Sequence, residues 1–307
     1  METIPLSFRQ VDYFIAVAET GSTAAAARLV NVSQPSVSLA VARLEETLGQ
    51  PLFLRATGQG MALTGFGRQK LAEFRSLRAQ TRAILASAGK EAPLPPMLDL
   101  GVFSTLGPRY VPALIDRFRA RVPNARLRLH EADLETLHAW LETGRIDLAI
   151  VYDFGLGGDV EMTPLHEARP YALVAGDHPL SGETSVSLAR VLEDPLILVN
   201  LPQSRNFFLS IIQARGLSAR IGMETNSIEM LRSMVASRLG VGLLATELPY
   251  RTTYDGGKVA HLRLEDPIPP HRVALARPAR LPGTWVTRVF EEEARRFFKG
   301  TAPDATG

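Results

Sequence analysis

The chain has 307 residues and a mass of 33.5 kDa, room for two domains or one large one. Apolar residues make up 46% of it, which excludes a disordered chain and promises a sizeable core. The net charge of +2 is unevenly spread: residues 1–90 carry ten Lys and Arg against six Asp and Glu, and the remainder 24 against 26. A small basic unit on a mildly acidic body suits a protein that meets a polyanion with one end, although two ordinary surfaces could give the same imbalance.

Residues 8–19 place Val11, Phe14, Ile15 and Ala18 at i, i+3, i+4 and i+7, an amphipathic helix that Gly21 closes. Ser22 caps a second, alanine-rich helix, and Asn31 and Val32 make a turn. Ser33 caps a third helix with Pro35 in its first turn, which runs through Val37, Val41 and Leu44 to Leu48 and ends at Gly49. Residues 52–63 read as a hairpin with Gly58 and Gly60 at its tip. One long helix then runs from Thr64 to about Ser87, with Leu71, Phe74, Leu77, Ile84 and Leu85 near one stripe and arginines beside it. A lone helix of this length must bury that stripe against a second chain or against its own body. The segment Ala92-Pro93-Leu94-Pro95-Pro96 is a stiff hinge.

Beyond the hinge, strand and helix patterns alternate for about 200 residues, which predicts open, mostly parallel α/β sheets in two lobes. The strands are read at 98–103, 125–131, DLAIVY, YALVAG, LILVN, ARIGMET, GLLA and HRVALAR, and the last helix at 284–299.

The three short helices have the form of a helix-turn-helix. A helix entering the major groove needs small polar groups at its exposed N-terminal end, and Gln34, Ser36 and Ser38 are such groups. Arg55 in the hairpin is placed to press on the adjacent phosphates, with Arg43 adding charge. Three helices that merely pack together remain the alternative on these residues alone.

Residues 8–67 resemble the N-terminal domain of LysR-type transcriptional regulators. The match runs through Phe14-Ile15-Ala16-Val17-Ala18-Glu19, Gly21-Ser22, Ala26-Ala27-Arg28-Leu29, Ser33-Gln34-Pro35-Ser36-Val37-Ser38, Leu44-Glu45, Leu48-Gly49, Leu52-Phe53-Leu54-Arg55 and Leu63-Thr64-Gly67. The resemblance implies a winged helix-turn-helix over 6–64, a dimerising linker helix over 65–91, a hinge at 92–96 and an effector-binding domain over 97–300. That domain would resemble the two-lobed periplasmic binding proteins, with lobe I at about 97–168 and 271–300 and lobe II at about 169–270. The implied DNA-contacting residues are Ser22, Thr23, Ser33, Gln34, Pro35, Ser36, Ser38, Arg43 and Arg55. Many members carry an Arg and a Gln directly after the position of Ser38, where this chain has Leu39 and Ala40. Polar contacts there are lost, so Gln34→Ala is expected to abolish specific binding and Leu39→Ala to cost little.

Ligands of open α/β folds bind beyond the C-terminal ends of strands, at helix N-termini. Ser104 and Thr105 follow the first strand of the body, Pro202, Gln203 and Ser204 follow LILVN, Asn226 follows ARIGMET, and Asp153 follows DLAIVY. Each Ser, Thr or Asn could instead cap its helix, but the resemblance gathers them at one cleft. The expected ligand is a small organic effector carrying a carboxylate or similar anion, favoured by free helix N–H groups and Arg205.

No Gly-x-Ser-x-Gly elbow, P-loop or His-Glu-x-x-His occurs, and the six histidines lack ligand spacing. Cysteine is absent, which excludes disulfides, thiolate metal sites and thiol redox sensing. Neither an enzyme, a cofactor nor a metal is expected. No signal pattern opens the sequence and no run approaches the ~18 apolar residues of a membrane span, so a cytoplasmic protein without membrane contact is expected. The reading is a regulator that binds double-stranded promoter DNA, a small effector and copies of itself, as dimers that the resemblance would assemble into tetramers. The rival readings are a solute-binding module without DNA and an α/β enzyme with an accessory helical domain.

Overall fold

A computed structural model describes residues 4–55, 60–86, 94–153, 157, 159–246 and 248–300. Local capping chemistry sets the first three helices. In α1 (Phe8–Thr20), Ser7 and Gln10 form a reciprocal capping box, and Gly21 ends the helix at φ 65°, a left-handed conformation suited to glycine. The Ser22 hydroxyl accepts from Ala25 N to start α2 (Thr23–Leu29). Ser33 does the same from Ser36 N for α3 (Gln34–Leu48), whose end at Gly49 has φ 70°.

Strands β1 (Phe53–Arg55) and β2 (Met61–Leu63) pair antiparallel as the wing. Glu45 Oε1 on α3 accepts from Leu52 N at 2.7 Å and Phe53 N at 3.2 Å, which fixes where the wing leaves the helix. At the wing's other end, Met61 N donates to Gly21 O at 2.8 Å. Gly58 and the Arg55 side chain lie outside the described residues.

The linker helix α4 spans Gly65–Ala86. Its stripe divides in two. Leu71 and Phe74 are buried in the core of the winged unit, where Phe14 meets Phe53 and Phe74 edge-on at 5.5 and 5.7 Å. Leu77, Ile84 and Leu85 are exposed, Ile84 by 70%. The winged unit thus has its own core, closed by the first half of the linker helix.

The body begins with β3 (Met97–Phe103), α5 (Gly107–Arg121), β4 (Arg126–Ala132), α6 (Leu134–Glu142), β5 (Leu148–Tyr152) and β6 (Val160–Ala168). The chain then crosses to β7 (Tyr171–Ala175), β8 (Ser185–Val186), α7 (Leu188–Val191), β9 (Leu196–Val199), α8 (Pro202–Ala214), β10 (Ile221–Thr225), α9 (Ile228–Ala236), β11 (Val241–Leu244) and β12 (Val259–Leu264). It returns through β13 (His271–Pro278) to α10 (Trp285–Gly300). One sheet has the order β4-β3-β5-β13-β6, the other β10-β9-β11-β7-β12-β8. Each sheet with its helices forms one lobe, and the chain passes between them twice.

The sheets are less parallel than expected. In the first, β13 runs antiparallel to both neighbours; in the second, β7 does. The alternation also missed β6, β12 and the two-residue β8. Pro164 sits inside β6, and a proline cannot donate to a ladder. The strand tolerates it because it lies at the sheet edge, where the register shifts between Val273 and Ala274 opposite it. Among the described residues, no helix is long and apolar enough to cross a membrane.

Candidate functional site

The outward face of α3 presents Gln34, Pro35, Ser36, Ser38 and Arg43, all exposed. Its other face buries Val37, Val41 and Leu44, so packing against α1 and α2 orients the exposed set. Gln34 Nε2 donates to Thr23 Oγ1 at 3.3 Å, joining the first turns of α2 and α3. The Ser33 and Ser36 hydroxyls lie 2.7 Å apart while Ser33 caps the helix. Ser22 and Ser33 are therefore helix caps in the free protein, and Gln34, Ser36 and Ser38 carry the polar groups turned to solvent.

In the body, a cavity of about 20 Å³ lies between the lobes, lined by Thr105, Tyr152, Ser204, Thr246 and His271 over a floor that includes Val199, Phe208 and Leu244. Thr105 and Tyr152 follow or end strands of the first lobe; Ser204 and Thr246 follow strands of the second. The Tyr152 and Thr246 hydroxyls form a buried hydrogen bond across the gap. Burial pushes the Tyr152 phenol up to about 12, against the opposing pull of hydrogen bonds from Thr246 and Thr105, so it stays neutral. Burial likewise holds the His271 imidazole down at about 4. The cavity therefore carries no fixed charge near pH 7.

Helix ends supply the remaining polarity. Neither α5 nor α8 has a side-chain cap, and both begin beside the cavity, α5 two residues after Thr105 and α8 two before Ser204. Their first-turn N–H groups are thus not taken by a cap, and the positive ends of both dipoles lie at the cavity. Gln203 is not among the residues that line the cavity, but its Oε1 is buried next to Ser204 in sequence without a hydrogen-bond partner among the described residues.

The other expected residues fall elsewhere. Ser104 is half-buried beside Thr105 but outside the lining, and Pro202 is exposed at the start of α8. Asn226 is exposed and outside the cavity, while its neighbour Ser227 caps α9 through Met230 N at 3.3 Å. Asp153 lies just past Tyr152, its N–H bound to Arg272 O at 2.7 Å. Arg205 turns away to Glu224, with Nε 2.8 Å from Oε1. Sequence reasoning missed Tyr152 and Thr246, although the strand-end rule that found Thr105 applies equally to DLAIVY and GLLA. Nothing in the sequence marked His271.

A larger crevice, of about 790 Å³, separates α4 from the first lobe. It is a seam of mixed charge. Arg75 bridges it, donating to Thr143 O at 3.1 Å and to Glu19 at 2.9 Å, while Arg128 and Asp99 pair at 2.7 Å.

The buried histidine predicts an acid sensitivity. An imidazole held at about 4 in the fold and near its ordinary 6.5 in the unfolded chain favours unfolding as pH falls from 6.5 to 4. The loss amounts to about 3 kcal/mol by pH 4. Asp147, raised by burial to about 6 from 3.8, acts in the opposite direction between those values. Thermal melts at pH 7 and 4.5 should show a larger fall for wild type than for His271→Asn; equal falls would contradict the burial argument.

A helix-turn-helix with a wing, joined by a long helix to a two-lobed body with a cavity between the lobes, defines a ligand-responsive DNA-binding regulator. The chain belongs to the LysR family of transcriptional regulators. The bacterial regulatory helix-turn-helix profile of that family matches residues 8–68, and the LysR substrate binding domain profile matches residues 92–299. A Streptomyces viridosporus protein described as a probable hydrogen peroxide-inducible genes activator is 32% identical over 275 residues, covering 88% of this chain and 87% of that one. The crystal structure of HinK, a LysR family transcriptional regulator from Pseudomonas aeruginosa, is 33% identical, with 95% and 98% of the two chains covered and a TM-score of 0.64. A full-length OxyR variant from Pseudomonas aeruginosa is 28% identical, with 94% and 97% covered and a TM-score of 0.72. These relatives are regulators, and this chain is a DNA-binding transcriptional regulator rather than an enzyme.

Proposed function

We propose that this regulator is switched by a small organic anion bound between its lobes, with α3 reading the promoter. The observation that carries this is the convergence of two helix N-termini without side-chain caps, α5 and α8, on one interlobe cavity. Helix N-termini favour negative charge, and here they substitute for an arginine, since Arg205 is engaged by Glu224. Thr105, Gln203 and Ser204 would supply side-chain hydrogen bonds, and the neutral His271 and Tyr152 would close one wall.

At about 20 Å³ the cavity holds roughly one water molecule. An organic effector therefore parts the lobes and loosens the Tyr152–Thr246 contact. The resulting shift can be no larger than the effector's preference for the parted arrangement. A peroxide response by thiol oxidation, which kinship to peroxide-inducible activators would suggest, is closed to a chain without cysteine.

Thermal shift of the full chain against a panel of mono- and dicarboxylates tests the site. At least one anion should raise Tm in wild type, with the rise diminished in Gln203→Ala and Ser204→Ala. A rise of equal size in both variants would place the effector elsewhere.

The exposed half of the α4 stripe, Leu77, Ile84 and Leu85, is the surface we assign to a second copy of the chain, giving a cytoplasmic dimer that pairs into tetramers. Ile84→Glu should lower the mass measured by light scattering to that of a smaller assembly. An unchanged mass would move the dimer contact off α4.

A further inference from the structure

The reading helix carries a large apolar side chain in open water. α3 buries Val37, Val41 and Leu44. At 3.6 residues per turn Leu39 lies about 170° from the middle of that stripe, near the centre of the outward face. The residue is 54% exposed. Pro35, also exposed, stands one turn before it, so the two form an apolar i, i+4 pair. Ser38 lies on one flank of the pair, and Ser36 and Arg43 on the other.

A leucine in this position has few compatible neighbours on DNA. It cannot bond a phosphate, and over the polar edge of guanine, adenine or cytosine it would strip water without replacing the lost hydrogen bonds. Thymine alone among the four bases offers an apolar group in the major groove, its C5-methyl. We propose that Leu39, with Pro35 beside it, is a specificity-determining contact to a thymine methyl in each half-site. The inference rests on the assignment of α3 as the reading helix. It gives position 39 an attractive role toward one base and a repulsive one toward the other three. Leu39→Ala is then no longer a change of little cost, as the sequence alone suggested.

Replacing thymidine by deoxyuridine removes this methyl and nothing else. Duplexes selected from random sequence by the full-length wild-type protein would provide the half-site, and single deoxyuridine substitutions would then be tested by fluorescence anisotropy. One symmetric thymine should be enriched, and its conversion to deoxyuridine should weaken wild-type binding about fourfold, the equivalent of one buried methyl. Leu39→Ala, at an exposed helical position, should melt like wild type, lose the enrichment and become indifferent to deoxyuridine at that step. Where a C·G pair replaces that T·A pair, 5-methylcytosine should recover part of the wild-type affinity that cytosine loses. If deoxyuridine costs both proteins equally at every position, or if Leu39→Ala keeps the enrichment, the inference is wrong while α3 can still read DNA. If selection returns no shared half-site at all, the assignment of α3 fails and takes this inference with it.

Discussion

Gln34→Ala should remove most of the preference for operator over random DNA while leaving salt-sensitive, non-specific binding in place. Gln34 is exposed at the first turn of α3, and its amide is already held by Thr23 Oγ1 at 3.3 Å. A Gln side chain is suited to a paired hydrogen bond with adenine, a contact worth about 1–3 kcal/mol of discrimination. That is about five- to 150-fold per half-site, and a dimer loses it twice. Phosphate contacts are untouched, so the slope of affinity against salt should hardly change. Competition anisotropy with selected and random duplexes separates the two quantities. A parallel drop in both affinities would mean that Gln34 supports the fold of the winged unit rather than its reading.

The second large effect is expected at Phe14. Its ring is fully buried and touches Phe53 in the wing and Phe74 in the linker helix, so one side chain joins three elements. Truncating a buried phenylalanine costs about 3–5 kcal/mol, because the hole cannot collapse when its walls belong to separate elements. A unit of about 60 residues has little more stability than that to lose. Phe14→Ala should therefore unfold the winged unit near ambient temperature while the body, with a separate core, keeps its own melting transition. Phe14→Leu should retain most of the stability and the DNA affinity. Loss of both transitions together in Phe14→Ala would show that the two parts do not fold independently.

The difference between these two parts explains what was readable beforehand. The winged unit is built from local signals: Ser22 and Ser33 bond the third residue after themselves, and Gly21 and Gly49 stop their helices at positive φ. Such chemistry acts within one turn, so residue order alone reveals it. The body depends on pairing between distant segments. β13 inserts between β5 and β6 although the whole of lobe II separates it from both in sequence, and β6 hides its edge position behind Pro164. No periodicity within a strand states which partner it takes or in which direction, so β7 and β13 were read as strands but their antiparallel direction was not.

The candidate effector site divides along the same line. Thr105 and Ser204 followed from the rule about strand ends, and Tyr152 and Thr246 were accessible to it. His271 enters the cavity only because β13 returns from the far lobe, which is a consequence of the finished fold. Arg205 looked like an anion ligand because its partner, Glu224, comes from a strand 19 residues later.

The linker helix also touches the body unequally. Arg75 holds Thr143 O at 3.1 Å and Trp285 Nε1 reaches Ala83 O at 3.4 Å. Thr143 and Trp285 both belong to the lobe that contains β3 and α10. Were these contacts to make that lobe and the DNA-reading head travel as a single lever arm, the lobe from β7 to β12 would be the part that swings against it. An effector's message would then leave the molecule through the swinging lobe, and the spacing between two heads on DNA would change through how subunits are stacked rather than through any flexing of the arm itself.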